Sequence, residues 1–475
     1  MVPEAVRHFI GGKHVFSTLR KSYGVTDPAT GKEYAQVEVG LGADVNQAVL
    51  AARGALEAGP WSEMAAQERA RVLSGIADAI DARADDIAAA QALGPGLPVT
   101  QAREQAARAS ALFRRVADLA AKAAETAQQA TDSGPGQPGQ PGYLMARPAG
   151  VAGLVTSWRT PFLAQARAVA PALAAGCTVV LKPHEWAPLP AALLADVTTA
   201  AGLPVGVLNI VHGSLHRKAL GAQARDALVA HPAVDRLSLA DEADGAPGLI
   251  FADADLDQAA DSALFGAFAL NGQRRTATST ILVQRPVYDT LVSRLAQRAE
   301  RISVGDPSDP STQVGPLPHA DAYDKLSSLV RLGIREGARL AAGGRRPAGR
   351  TEGHFLAATV LADVDPSMPI FAGPACGPLI RVTPFDTDEE AISLAGAAGQ
   401  TAAYMWTADL ARAHRLALAM AAASIWVNSH NRLDLLHATA GQPAAEAGPA
   451  DIDFYTQSRT VLIAADEAPV PQFGA

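Results

Sequence analysis

Side chains able to do chemistry are few in this chain. Its 475 residues hold two cysteines, Cys177 and Cys376, too few for a disulfide framework or a multi-cysteine zinc site and in keeping with a reducing compartment. Each reads as a small buried apolar side chain. The eleven histidines show no HExxH and no close HxH spacing, so no metal site is expected. No GxxxxGK[ST] follows a strand pattern, which leaves Gly11 and Gly12 as a turn, and GGRRPAGRTEGH (343–354) as a solvated basic loop. Arg274 and Arg275 are adjacent. They either plug a cavity by pairing with carboxylates, the preferred reading, or form an anion pocket. Lys182 and Glu185 in LKPHE read locally as a charge at a strand end and a carboxylate favourable to the next helix.

The elements that must position these groups follow from periodicity. FIGGKHVF and YGVTDPATGKEYAQVEV predict a small antiparallel strand set. Helical spacing runs from Ala43 to about Ala92 and from Thr100 to about Gln129, broken by LGPGLP (93–98). Gly and Pro exclude a regular element across Ser133 to Gly142. Then short apolar runs, VAGLVTSW, CTVVLKP and VLNIVHG, alternate with helical segments Thr160 to Ala175 and Pro188 to Ala201. That alternation predicts βαβ units and a parallel sheet, with any ligand site at its carboxyl ends. A second α/β half starts near Leu249: strand LIFAD, helix Asp257 to Leu270, strand STILVQ, and helix Val287 to Ile302. Helices at Asp321 to Glu336 and Asp386 to Ala398, the strand ATVLADV, the segment CGPLIRVTPF and the strands IWVNSH and RTVLIA follow.

Composition agrees with a folded, multi-domain chain: 48% apolar, 19% charged, net charge −8. Nothing in that balance recommends a nucleic acid or an anionic membrane. No signal-like stretch follows Met1 and no apolar run reaches membrane-spanning length. A cytoplasmic location is expected.

Taken together and in order, FIGGK (9–13), DPATGK (27–32), SWRTPF (157–162), APALAAGCTVVLKPHEWAPLP (170–190), AGLPVGVLNIVHG (201–213), FADADLDQAA (251–260), NGQ (271–273), VGDPSDPSTQVGPL (304–317), GPLIRV (377–382) and WVN (426–428) resemble the aldehyde dehydrogenase superfamily over nearly the whole chain. The resemblance implies a thiolate that attacks the aldehyde, an asparagine amide and a backbone N–H that hold the oxyanion, hydride transfer to NAD(P), and a glutamate that activates water. It also locates departures. Arg275 stands where the cysteine belongs, Arg159 follows Trp158 in place of the oxyanion asparagine, and Pro374 replaces a ribose-holding glutamate. A guanidinium has no lone pair to offer and cannot form a thiohemiacetal. Between the strand at Val234 to Leu239 and that at Leu249 to Ala252, some twenty residues of the family pattern are missing. With them go the general-base glutamate and the helix N-terminus that faces the cofactor diphosphate. Asp241 and Glu242 stand near the lost segment. Trp158, Lys182 and Glu185 match positions that line the cofactor cleft and bond the adenosine ribose.

The expected architecture is therefore an α/β aldehyde dehydrogenase-like fold. It has a Rossmann-like domain with a shortened sheet (1–132 and 148–245), a second, catalytic-type α/β domain (246–435), and a strand-based oligomerisation element (133–147 and 436–475). The expected function is a catalytically inactive structural or regulatory subunit that pairs with an active aldehyde dehydrogenase paralogue as a homo- or hetero-oligomer. On this reading the chain has no catalytic residues, no required cofactor, and at most weak NAD(P) or adenine nucleotide binding at vestigial Trp158, Lys182 and Glu185. Two alternatives stand beside it: an NAD(P)-dependent aldehyde oxidoreductase with a non-standard active site, and a nucleotide or small-anion sensor.

Overall fold

The computed structural model describes residues 5–126, 142–213, 222–240, 246–274, 276–372, 376–399, 402–430 and 449–462. Two large sheets organise them. In the first, strands Val151–Val155, Thr178–Lys182 and Leu208–Ile210 lie side by side and parallel, and Arg236–Leu239 pairs with the other edge of Val151–Val155, also parallel. Strand Thr178–Lys182 is buried along its full length, as a strand covered by helices on both faces must be. Strand order reverses between Val151–Val155 and Arg236–Leu239. A doubly wound sheet opens its ligand crevice at such a point, beyond the carboxyl ends of the strands.

The covering helices follow from sequence. Pro161–Ala174 and Pro188–Ala200 each begin on proline, which supplies helical φ at the first position and needs no hydrogen-bond acceptor there. The long helix Val99–Thr126 packs across Ala66–Ala82 and Pro161–Ala174, and its Phe113 and Val116 join Ile76, Ile80, Phe162 and Leu173 in one core. The region expected to be continuous helix from Ala43 to Ala92 is instead Gly42–Ala58, Pro60–Glu63, Ala66–Ala82 and Ala84–Leu93. Gly59-Pro60 stops the first, because proline cannot extend a helix that precedes it.

The second sheet orders Arg339–Ala342, Thr359–Ala362, Leu379–Phe385, Thr280–Gln284, Gly248–Ile250, Ala403–Trp406 and Ile425–Val427, all parallel except the first. Three elements here escaped the sequence reading: strands Arg339–Ala342 and Ala403–Trp406 and helix Leu410–Ala419. The short run AYMW is buried throughout, and four residues are too few to show a period.

The N-terminal strands do not form one set. His8–Ile10 and Lys13–Val15 extend the first sheet through Phe9 opposite Ile210, whereas Ser22–Thr26, Glu33–Glu38 and Ala5–Val6 make a separate three-stranded sheet. Gly142–Pro148 and Thr456–Leu462 pair as an antiparallel ribbon. The Gly/Pro-rich stretch 133–141 lies outside the described residues. No described helix is long and apolar enough to cross a membrane.

Candidate active site

The crevice at the strand-order reversal is built from the residues that follow two neighbouring strands. Trp158 and Arg159 come after Val151–Val155, and Lys182 ends Thr178–Lys182, with His184, Glu185 and Trp186 just beyond. The backbone carbonyl of Lys182 accepts from Thr156 N at 3.2 Å, which ties the two strand exits together. The Lys182 side chain is 1% exposed, and its ammonium makes no hydrogen bond or salt bridge to a described residue. Burial pulls its pKa down to about 8, with Glu185 acting in the opposite sense and Arg225 reinforcing the fall. Glu185 is also buried, and its carbonyl accepts from Tyr23 Oη at 3.2 Å.

Aromatic rings surround this pair. Trp158 meets Trp186 edge-on at 5.2 Å and His184 at 6.5 Å; Trp186 lies 4.6 Å from His184 and 3.9 Å from His319, across on the second α/β half. The Arg159 guanidinium sits over Trp158 at 5.4 Å. Trp158, Lys182 and Glu185 are thus brought to one crevice. His184, Trp186 and His319 were not singled out from sequence, although two of them flank Glu185 in PHEW.

A second cluster centres on NGQ. Leu270, Asn271 and Gly272 all have positive φ, at 55°, 60° and 68°. Left-handed backbone at non-glycine residues costs about 1–3 kcal/mol each and collects at functional sites. The surroundings enforce it. Asn271 Nδ2 donates to Gly96 O at 2.8 Å and to Pro316 O at 3.2 Å, and its Oδ1 accepts from Gly315 N at 2.7 Å. Leu270 N donates to Gln101 Oε1, and Gln273 Nε2 to Pro95 O at 3.4 Å. A Cβ on Gly272 would lie 2.3 Å from Gly377 O. The segment that carries Cys376 therefore packs directly on this turn, and Cys376 is partly exposed.

Arg274 leaves the turn into an aromatic cage. Its Nη2 donates to Phe265 O at 2.9 Å and Gly266 O at 3.1 Å, and its guanidinium lies over the Phe265 ring at 5.0 Å. The expected carboxylate partners are replaced by backbone carbonyls, which accept without adding a charge. Burial lowers the Arg274 pKa to about 10; Tyr404 opposes that fall and Arg108 adds to it. His430 stacks on Tyr404 at 3.9 Å, and burial together with Arg274 drives its pKa to about 3. Tyr404 in turn stacks on Trp426 at 5.1 Å. Tyr404 and His430 were missed because neither belongs to a motif. Arg275 and Pro374 lie outside the described residues, as do Asp241 and Glu242. Cys177 is enclosed, its Sγ 3.2 Å from Tyr455 O. Among the described residues no group of three or more His, Cys, Asp or Glu could hold a metal ion.

Comparison with known proteins bears on both clusters. The model of the aldehyde dehydrogenase family matches residues 15–244 and 242–461. 5-Carboxymethyl-2-hydroxymuconate semialdehyde dehydrogenase of Escherichia coli is 38% identical over 92% of this chain and 95% of its own. 2-Hydroxymuconic semialdehyde dehydrogenase of Pseudomonas sp. (strain CF600) is 35% identical over 96% and 99%. Among solved structures, HpcC from Thermus thermophilus superposes with a TM-score of 0.89 at 35% identity, covering 99% of this chain and 95% of that one. The NAD+ complex of aldehyde dehydrogenase from Bacillus cereus gives 0.88 at 29%, covering 98% and 97%.

These findings correct three expectations. The inactive structural or regulatory subunit, and with it the reading that the chain is no enzyme, is overturned by full-length relatives named as semialdehyde dehydrogenases. The expectation of no cofactor is overturned by a matching structure that is itself an NAD+ complex. The physical reason is one of weight: a missing motif residue tests one atom, whereas agreement along the chain tests the whole cleft that positions it. The chain belongs to the aldehyde dehydrogenase family.

Proposed function

We propose that this chain is an NAD(P)-dependent aldehyde oxidoreductase with a non-standard active site, acting on a carboxylate-bearing semialdehyde. The observation that carries the reading is 38% identity over 92% of the chain to a semialdehyde dehydrogenase. That relative's name describes a substrate with carboxylates, and the turn beside Cys376 carries Arg274, whose buried guanidinium feels the charge of Arg108. Such a field favours an anionic substrate.

The chain is a divergent member: Arg275 occupies the position of the family thiol, Pro374 that of a ribose-holding glutamate, and the segment with the general base is missing. A thiol nucleophile must then come from one of two cysteines. Cys177 is sealed in the core with its pKa raised by burial, so Cys376, partly exposed beside the strained turn, takes the role. Arg159, over the face of Trp158, supplies N–H donors in place of the oxyanion asparagine.

A buried cation with no bonding partner among the described residues fits the adenosine half of a dinucleotide. Lys182, with Glu185 and Trp158, would hold the nucleotide, and the cofactor when bound accepts hydride. The domain roles follow the two sheets: 1–132 with 148–245 for the nucleotide, 246–435 for the aldehyde. The ribbon of Gly142–Pro148 with Thr456–Leu462, within 133–147 and 436–475, joins this chain to a second copy or to a paralogue through its free edges. We place the protein in the cytoplasm.

The test is NAD(P) reduction by the purified protein with carboxylated and uncharged aldehydes. Aldehyde-dependent NAD(P)H formation that is faster with the carboxylated substrate supports the reading. No turnover with any aldehyde contradicts it.

A further inference from the structure

Strand Leu379–Phe385 runs through the second sheet and sends alternate side chains to its two faces. Ile380 and Val382 enter one apolar layer; Leu379 and Phe385 enter the other, with Leu326, Ile370 and Phe371. Arg381 shares the face of Leu379 and Phe385, so a guanidinium stands in a layer of hydrocarbon. It is 3% exposed, and burial lowers its pKa to about 10, which leaves it a cation at neutral pH. A charge taken out of water is unfavourable unless fixed hydrogen bonds replace its hydration.

The bonds of Arg381 reach two separate segments. Its Nη2 donates to Ser279 Oγ at 2.6 Å and its Nε to Ser279 O at 3.4 Å, while Nη1 donates to Ile370 O. Ser279 closes the stretch that starts at the left-handed turn Leu270–Gly272 and enters strand Thr280–Gln284. Ile370 belongs to the short helix Pro369–Ala372, upstream of Cys376, and Arg381 itself lies downstream of it. One planar fork therefore ties the chain that carries Cys376 to the end of the turn segment, which an ammonium, lacking fixed donor directions, could not do. Between the two holds Gly377 is wedged. Its backbone lies against Gly272, and a Cβ on Gly377 would stand 2.4 Å from Leu326 Cδ2.

We infer that Arg381 is a positioning residue, which sets where the Cys376 thiol stands against the NGQ turn. This rests on the role proposed above for Cys376 and goes beyond it by naming the side chain that holds the thiol there.

The test uses the full chain with Arg381→Met, which removes the fork, and Arg381→Lys, which keeps the charge without it. Alkylation by iodoacetamide, read at each cysteine by mass spectrometry, follows the thiol without requiring turnover. The rate at Cys376 should change about fivefold or more in both variants, while the enclosed Cys177 keeps its wild-type rate. A Cys376 rate within about twofold of wild type in either variant overturns the inference. So does a parallel change at Cys177, which would report general loosening of the fold. In aldehyde-dependent NAD(P) reduction, Arg381→Met should lower kcat about 10–100-fold with KM changed by less than about threefold. A raised KM with kcat retained contradicts a positioning role. If the wild type shows no turnover the enzymatic reading fails, and the alkylation rates still decide whether Arg381 places the thiol. Thermal melting of both variants is measured alongside, and should Arg381→Met not fold, Arg381→Lys carries the same comparisons.

Discussion

At Asn271 a buried amide has both its donor and acceptor atoms bonded, to Gly96, Pro316 and Gly315; at Lys182, equally buried, a cation has no bonded partner among the described residues. The NGQ turn is complete without a ligand, and its hydrogen bonds hold three left-handed residues in place. At Lys182 burial disfavours the charged amine and pulls its pKa to about 8, against the opposing effect of Glu185. The contrast is between a turn held rigid by a fully bonded amide and a lysine whose charge its surroundings disfavour.

The sharpest way to break this contrast is at the turn's neighbour. Cys376→Ser should lower aldehyde turnover by about 10²-fold or more with little change in melting temperature, while Cys177→Ser should spare kcat. Equal effects from the two would remove Cys376 from the chemistry. Next in size, Gly272→Ala places a Cβ 2.3 Å from Gly377 O and 2.7 Å from Ala267 O, both backbone atoms, at φ +68°. Denaturant unfolding should show a loss of about 3 kcal/mol or more, and a loss below about 1 kcal/mol would mean that the turn is not rigid.

Lys182→Met probes the opposite region and should have the opposite sign. The folded pKa of about 8 lies below the ordinary lysine value of 10.5, so charging the buried amine costs stability as pH falls from 10.5 through 8. The neutral variant should be more stable at pH 7 by about 1–3 kcal/mol and should bind nucleotide more weakly. A destabilised variant would show that the lysine is satisfied in the apo fold.

The smallest effect concerns acid. His430, with its pKa near 3, lies below the unfolded value of 6.5; stability is retained above pH 6.5 and lost as pH falls towards 3. His430→Phe should recover about 1–2 kcal/mol of that loss at pH 5, read from Tm as a function of pH. His8, lowered to about 4, and His212, lowered well below 6.5, make the same demand in the half built on the first sheet, so some acid sensitivity should persist.

Much of the scaffold was legible because its signals are local. Pro161 and Pro188 announce helix starts, and the apolar run TVVLK announces a strand covered on both faces. Trp158, Lys182 and Glu185 were singled out by the family resemblance of their motifs, and the structure brings them together beyond neighbouring strand ends. The cage around Arg274 was not, because Phe265, Tyr404 and His430 come from three separate stretches and meet only through the order of strands in the second sheet. The arginine pair was expected to meet carboxylates; Arg274 met the carbonyls of Phe265 and Gly266, acceptors that no side-chain sequence reveals. Activity was misjudged because Arg275, Arg159, Pro374 and the missing segment were weighed position by position, whereas the agreement with named semialdehyde dehydrogenases runs along the whole chain.

Catalysis by this chain is the claim on which the rest depends, and a single assay decides it: formation of NAD(P)H by purified wild-type protein with a carboxylated semialdehyde, run beside Cys376→Ser. Steady aldehyde-dependent turnover in the wild type and its loss in the variant are expected. Absence of turnover in the wild type, with nucleotide and aldehyde at saturating concentration, would refute the claim.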